Sequence, residues 1–231
     1  AMTRVKIPLT WQYLLAFFCL GTLLGIGHEL AHHVAGWFVC GEWGYKTFNS
    51  FKLAPGCVGR RPDAYWLATL AGTVLFNYVP LWYGVRRVWQ DDLGDKLFGV
   101  SLIFATVPIL RIAFNLVGSN DESAIVRELF GQTRIAHWAL NALIWAVAVP
   151  PLVLAWRTIG NRLRPLVFLL FFVGVPGLVA LFFGGVLERM IEARRVLPGE
   201  LWGMPYLVLV TELLATIGYM VLKPRLRAPA P

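Results

Sequence analysis

Charge is scarce in this chain. Only 15% of its 231 residues are Asp, Glu, Lys or Arg, against roughly 25% in soluble proteins. By contrast, 58% are hydrophobic before the 22 glycines are counted. With a mean hydropathy of +0.63, such a sequence cannot cover a globule with polar surface, so lipid must be its main solvent. Cysteine is scarce too: Cys19, Cys40 and Cys57 are the only three, too few for a disulfide framework. Cys40 and Cys57 flank one loop, and the expectation is two free thiols rather than a bridge. Internal repeats, low-complexity tracts and room for a folded soluble domain are all lacking. Collagen-like, disordered and disulfide-rich secreted classes are thereby excluded. The net charge of +8 comes from 21 Lys and Arg scattered between apolar runs. That distribution suits lipid headgroups and argues against nucleic acid as a partner.

What is present is a series of long apolar runs. A bilayer-spanning helix needs about 20 such residues, and six segments qualify, roughly 8–38, 64–85, 97–117, 136–156, 165–187 and 202–222. Trp11, Trp37, Trp66, Trp82, Trp89, Trp138, Trp156 and Trp202 lie near span ends, where aromatic rings straddle the headgroup layer. Pro150-Pro151 and Pro176-Gly177 are expected to interrupt spans four and five. The first run is no removable signal peptide, because it continues into polar residues suited to chemistry. The fold class expected is an all-α polytopic membrane protein, residues 1–231 forming one integral membrane domain. One connection is long, about 39–63. Its alternation of Tyr45, Phe48 and Phe51 with polar residues, closed by Pro55-Gly56, predicts a short β-hairpin after the first span. Lys and Arg number 11 on the side of the termini and nine on the other, a bias too small to orient the chain.

The chemistry concentrates in His28-Glu29-Leu30-Ala31-His32, in the distal part of the first span. Residues four apart on a helix lie about 40° from each other, so His28 and His32 share a face. Two imidazoles placed so can hold one Zn²⁺, with Glu29 as general base. His33 falls on another face. Burying such groups in lipid without purpose is expensive, which favours a functional site over a solvated span end. A catalytic zinc takes three protein ligands, and Phe38 stands where a further downstream His would be needed. Spans one and three end on the same side, so Asp121 or Glu122, just past span three, is the candidate third ligand, with Asp121 ahead. His137, opening span four on that side, is the reserve.

Three features in this order resemble the site-2 protease family of intramembrane zinc metalloproteases. They are the HExxH helix, the stretch Leu70-Ala71-Gly72-Thr73-Val74-Leu75-Phe76-Asn77 in span two, and Asn115-Leu116-Val117 followed by Asp121. The second is similar to the family's Ala-Gly-Pro-…-Asn stretch with Thr73 for Pro. The third is similar to its Asn-Leu-Leu-Pro…Asp-Gly, with Glu122 in place of Gly and no Pro. The resemblance covers about residues 12–130, a three-helix catalytic core, leaving 131–231 as additional C-terminal spans. It implies His28, His32 and Asp121 as zinc ligands, Glu29 as catalytic base and Asn115 as a supporting polar residue of the catalytic set. It also implies a transmembrane protein as substrate and, by the same token, a bacterial cytoplasmic membrane. No PDZ-like sensor domain is present.

The activity so implied is hydrolysis of a peptide bond in or near a transmembrane segment, with Glu29 assisting attack by a zinc-activated water. The substrate helix must first unwind locally, and the hairpin is suited to hold it extended by strand addition. A zinc-dependent lipid hydrolase or amidase on the same ligands is the rival enzyme. A membrane scaffold with an idle metal site is the non-enzymatic rival. A di-iron hydroxylase is disfavoured, because such sites need many more histidines than the four here. A serine intramembrane protease finds no Gly-x-Ser-x-Gly. Two further charges lie deep in spans, Arg111 and Glu212. Both are expected to face the interior, either paired with each other or with separate partners; Asn77 is expected to contact substrate or a neighbouring helix.

Overall fold

The computed structural model describes residues 3–193 and 196–228. Helix α1 is Trp11–Cys40. It starts where the Thr10 side chain accepts from the Tyr13 N–H, and stops at Gly41, whose φ of 74° lets its N–H turn back to the Trp37 carbonyl; these are ordinary N- and C-capping devices. The predicted hairpin follows, with β1 (Tyr45–Lys46) antiparallel to β2 (Phe51–Lys52). A short α2 (Cys57–Arg60) leads to α3 (Ala64–Gly72), a π-helical segment (Thr73–Tyr78) and α4 (Val79–Val88), which together form one rod. Helix α5 (Leu93–Ala105) and α6 (Pro108–Leu116) are separated by a break at Thr106-Val107. Pro108 has no N–H to continue the ladder, and Val107 takes the left-handed conformation with φ 50°. Then come α7 (Asp121–Phe130) and α8 (Arg134–Thr158).

The fifth rod alternates α9 (Arg164–Leu169), a π segment (Leu170–Gly174), α10 (Val175–Ala180), a second π segment (Leu181–Leu187) and α11 (Glu188–Glu192). A second hairpin, β3 (Glu200–Leu201) with β4 (Met204–Pro205), precedes α12 (Tyr206–Leu222) and a 3₁₀ turn (Lys223–Arg227).

Among the described residues, five stretches are long and apolar enough to cross a membrane: Trp11–Cys40, Leu93–Leu116, Arg134–Thr158, Arg164–Glu192 and Tyr206–Arg227. The rod over 64–88, which carries Asn77, Arg86 and Arg87, is not among them. Leu178, Leu181, Leu213, Leu214, Met220 and Val221 stand exposed on the outer faces. Such a surface is costly in water and suited to lipid, and this chain is an integral membrane protein.

Several expectations need correction. Pro150 and Pro151 do not interrupt span four, because α8 runs unbroken through both. Span five likewise continues past Pro176-Gly177, its π segments absorbing the irregular hydrogen bonding. The last span begins at Tyr206 rather than 202, because Trp202 and Gly203, both at positive φ, make the turn of the second hairpin. Cys40 and Cys57 are joined as a disulfide, not free; α1 ends and α2 begins with their Cα atoms 5.6 Å apart, within bridging reach.

The main core lies between α1, α5 and the fifth rod. Phe171 packs edge-on to Phe17 with ring centroids 4.9 Å apart, and the buried Tyr13 hydroxyl meets Ser101 Oγ at 2.7 Å. Helices α4 and α5 approach closely at Gly84 and Gly99, where a Cβ on Gly99 would fall 2.6 Å from the Gly84 carbonyl oxygen.

Contacts between distant segments sort the bundle into two ends. Val5 bridges Ile159, the Ile7 N–H donates to Asn161, and Arg227 reaches Asp95, so the segment before α1, the 3₁₀ turn after α12, the α4–α5 turn and the α8–α9 turn share one end. At the other end the Lys46 N–H donates to the Gly203 carbonyl and the Phe48 N–H to Glu188, joining the two hairpins to the end of the fifth rod.

Candidate metal centre

His28 and His32 lie one turn apart on α1 and both are buried. Their Nε2 atoms are 2.9 Å apart. Asp121, the first residue of α7, brings Oδ2 to 2.9 Å from His28 Nε2 and 3.8 Å from His32 Nε2. Three donor atoms from two elements thus converge, and these residues form a group able to hold a metal ion. The helical spacing supplies the His pair. The return of the chain through the rod over 64–88 supplies the carboxylate, since α3 packs against both α1 and α7.

The outer partners fit metal binding. The Ala68 carbonyl lies 2.9 Å from His32 Nδ1, and a carbonyl only accepts, so Nδ1 carries the proton and Nε2 offers its lone pair. The Gly72 N–H approaches the same nitrogen at 3.3 Å, the longer and weaker contact. With its amide oxygen turned inward, Asn77 accepts from His28 Nδ1 at 3.2 Å and from Arg111 Nη2 at 2.8 Å. Both imidazoles therefore point Nε2 at the convergence and tie Nδ1 to an oxygen, the arrangement that orients metal-ligating histidines. A tetrahedral zinc with bonds of about 2.0–2.1 Å would space such donors about 3.3 Å apart. The observed separations bracket that value, so the residues fit the ion. Gly72 makes the fit possible: a Cβ there would meet the His28 carbonyl oxygen at 2.4 Å and His32 Nε2 at 2.7 Å.

Arg111 closes the site. Its Nη1 lies 2.8 Å from Asp121 Oδ2 and 3.4 Å from Glu122 Oε2. Glu122 faces away from the donors and accepts from the Tyr78 hydroxyl at 2.8 Å. His137 lies beside Asn141 on α8 and is not part of the group.

A cavity of about 160 Å³ opens beside the donors. His28, Glu29, Asn77 and Arg111 line one part of it, Thr106 and Val107 of the broken third span another, and Phe48 and Asn49 of the hairpin tip a third. The Phe51 ring of β2 stacks on His32 with centroids 4.6 Å apart. Asn115 does not line the cavity. It is fully buried, its Oδ1 accepts from Ser123 Oγ at 2.7 Å, and so it braces the turn that presents Asp121. His33 is no ligand either; its Nε2 donates to the Trp202 carbonyl at 2.8 Å and its ring stacks on Trp43.

Sequence reasoning missed Arg111 as a contact of the donors. It expected Arg111 and Glu212 to pair with each other or to take separate partners; they take separate ones, Arg111 the carboxylates of Asp121 and Glu122 and Glu212 the ammonium of Lys46 of β1 at 2.7 Å. Arg111 sits one turn before Asn115, a spacing that signalled the right neighbourhood but not the partner. Comparison of the chain with protein-family models, with curated proteins and with solved structures finds no match.

Proposed function

We propose that this chain is an intramembrane zinc metalloprotease resembling the site-2 protease family, with six membrane spans once the rod over 64–88 is counted, in a bacterial cytoplasmic membrane. The observation that carries the reading is the convergence of His28, His32 and Asp121, with Glu29 in the adjoining cavity and both histidines on a helix apolar enough to span. A zinc ion held by these three residues would supply Lewis acidity, polarising a carbonyl and acidifying water. Glu29 takes the proton of the attacking water and returns it to the leaving amine. Asn77 and Arg111, both on the cavity wall, are the polar groups that meet the substrate carbonyl. The hairpin holds the unwound substrate: β1 is covered on its outer side by Gly203, so β2, against His32, is the edge left for an added strand.

The test is Glu29→Gln, which removes the base and leaves every donor. Purified wild type and variant should carry the same zinc, about one ion per chain, while only wild type cuts a transmembrane peptide. Equal turnover by the variant would end the metalloprotease reading. Cleavage of lipid but not peptide by wild type would replace it with a lipid hydrolase.

A further inference from the structure

We propose that the end of the bundle holding the metal donors faces the oxidising side of the membrane, so that the bond cut lies in the half of the substrate's span nearest that compartment. The second clause rests on the protease reading; the first does not.

The Cys40–Cys57 disulfide carries the orientation. It ties the end of α1, which bears the HExxH turn, to α2, and so brackets the whole β1–β2 hairpin. Disulfides form and persist in oxidising compartments and are kept reduced in the cytosol. A bridge at this end therefore assigns the end to the oxidising side. Cys19, the third cysteine, is buried mid-span and free. The distribution of charge points the same way on independent grounds. The end with the termini, the α4–α5 turn and the α8–α9 turn carries 11 Lys and Arg with three acids, Asp91, Asp92 and Asp95. Among the described residues the donor end carries seven Lys and Arg with eight acids, among them Glu42, Asp63, Glu128 and Glu200. Cytoplasmic loops hold the excess of Lys and Arg. The excess at the end with the termini agrees with the bridge. The donors sit near the bracketed end: His32 lies two turns before Cys40 on α1, and Phe51 inside the bracket stacks on it. A substrate span entering from the bilayer meets Glu29 in that half of the membrane.

The full chain, carrying Cys19→Ser and produced in a bacterial cytoplasmic membrane, tests this with one exposed reporter at each end. Gln132→Cys lies between α7 and α8 at the donor end, and Gln90→Cys lies after α4 at the other. A membrane-impermeant maleimide applied to spheroplasts should label Gln132→Cys at once and Gln90→Cys only after lysis; the reverse pattern overturns the orientation. A second measurement needs no substitution. Alkylation of acid-trapped, denatured native chain should modify one cysteine before reduction and three after, and three before reduction would overturn the argument. The bond position is read by mass from a co-expressed single-span reporter tagged at both ends. A cut in the half facing the oxidising side supports the second clause, and a cut in the cytosolic half overturns it. Absence of any cut by wild type would sink the protease reading and that clause with it, while the labelling still decides orientation.

Discussion

Nη1 of Arg111 lies 2.8 Å from Oδ2 of Asp121, the same oxygen that His28 Nε2 meets at 2.9 Å. Without an ion, the guanidinium is the positive charge that neutralises the donor group and the neighbouring Glu122. Arg111→Met should therefore lower the metal-free melting temperature, because removing one partner of a buried pair typically costs about 3–5 kcal/mol. Added zinc should restore most of the loss, since the ion replaces the missing cation. Melting scans in detergent with and without zinc check this. An equal zinc-induced shift in wild type and variant would show that Arg111 is not the resident counter-charge.

Gly72→Ala adds one methyl and removes no donor. Its Cβ would fall 2.4 Å from the His28 carbonyl oxygen, a backbone atom that cannot swing aside. Zinc content of the purified variant should drop well below one ion per chain although the protein still folds. Full zinc occupancy would mean that α3 can retreat from α1 and that the close approach is not needed.

His28→Ala, His32→Ala and Asp121→Ala should each lose zinc, whereas His33→Ala should keep it, because His33 is engaged with Trp202 and Trp43. Metal analysis separates the four variants. Zinc loss in His33→Ala with retention in His32→Ala would refute the helical-face assignment.

Lys46 and Glu212 form an ion pair between the hairpin and α12, with the Lys46 side chain fully buried. Lys46→Met should destabilise the protein by about 3–5 kcal/mol, because Glu212 is left without its partner inside the bundle. The double variant Lys46→Met/Glu212→Leu should be more stable than the single one. A double-mutant cycle with purely additive losses would show that the two charges are not coupled.

Opening the Cys40–Cys57 bridge should cost about 3 kcal/mol, the value for a closed loop of some 15 residues; the two cysteines here are 17 apart in sequence. Cys40→Ser/Cys57→Ser should first lose hydrogen-exchange protection at Lys46, Thr47 and the hairpin turn. Unchanged protection there would mean that packing against α12 and Glu188 already holds the hairpin.

The linear order of residues determined the membrane character, the helical rods, the first hairpin, the pair His28 and His32 and a third donor at Asp121 or Glu122, because these follow from local quantities: the length of apolar runs, the 3.6-residue period and the side on which each span ends. What it could not determine were contacts made across the bundle. Cys40 and Cys57 meet because α1 and α2 turn their ends together, and Glu212 takes Lys46 rather than Arg111 because the hairpin folds back against α12. The second hairpin rests on two residues, Trp202 and Gly203, at positive φ, a turn hidden in an otherwise apolar run. The partners that orient the site, the Ala68 carbonyl, the Asn77 amide and Arg111, are likewise tertiary. A backbone carbonyl leaves no mark in the sequence, and a buried charge reveals its partner only when packing has brought the two together.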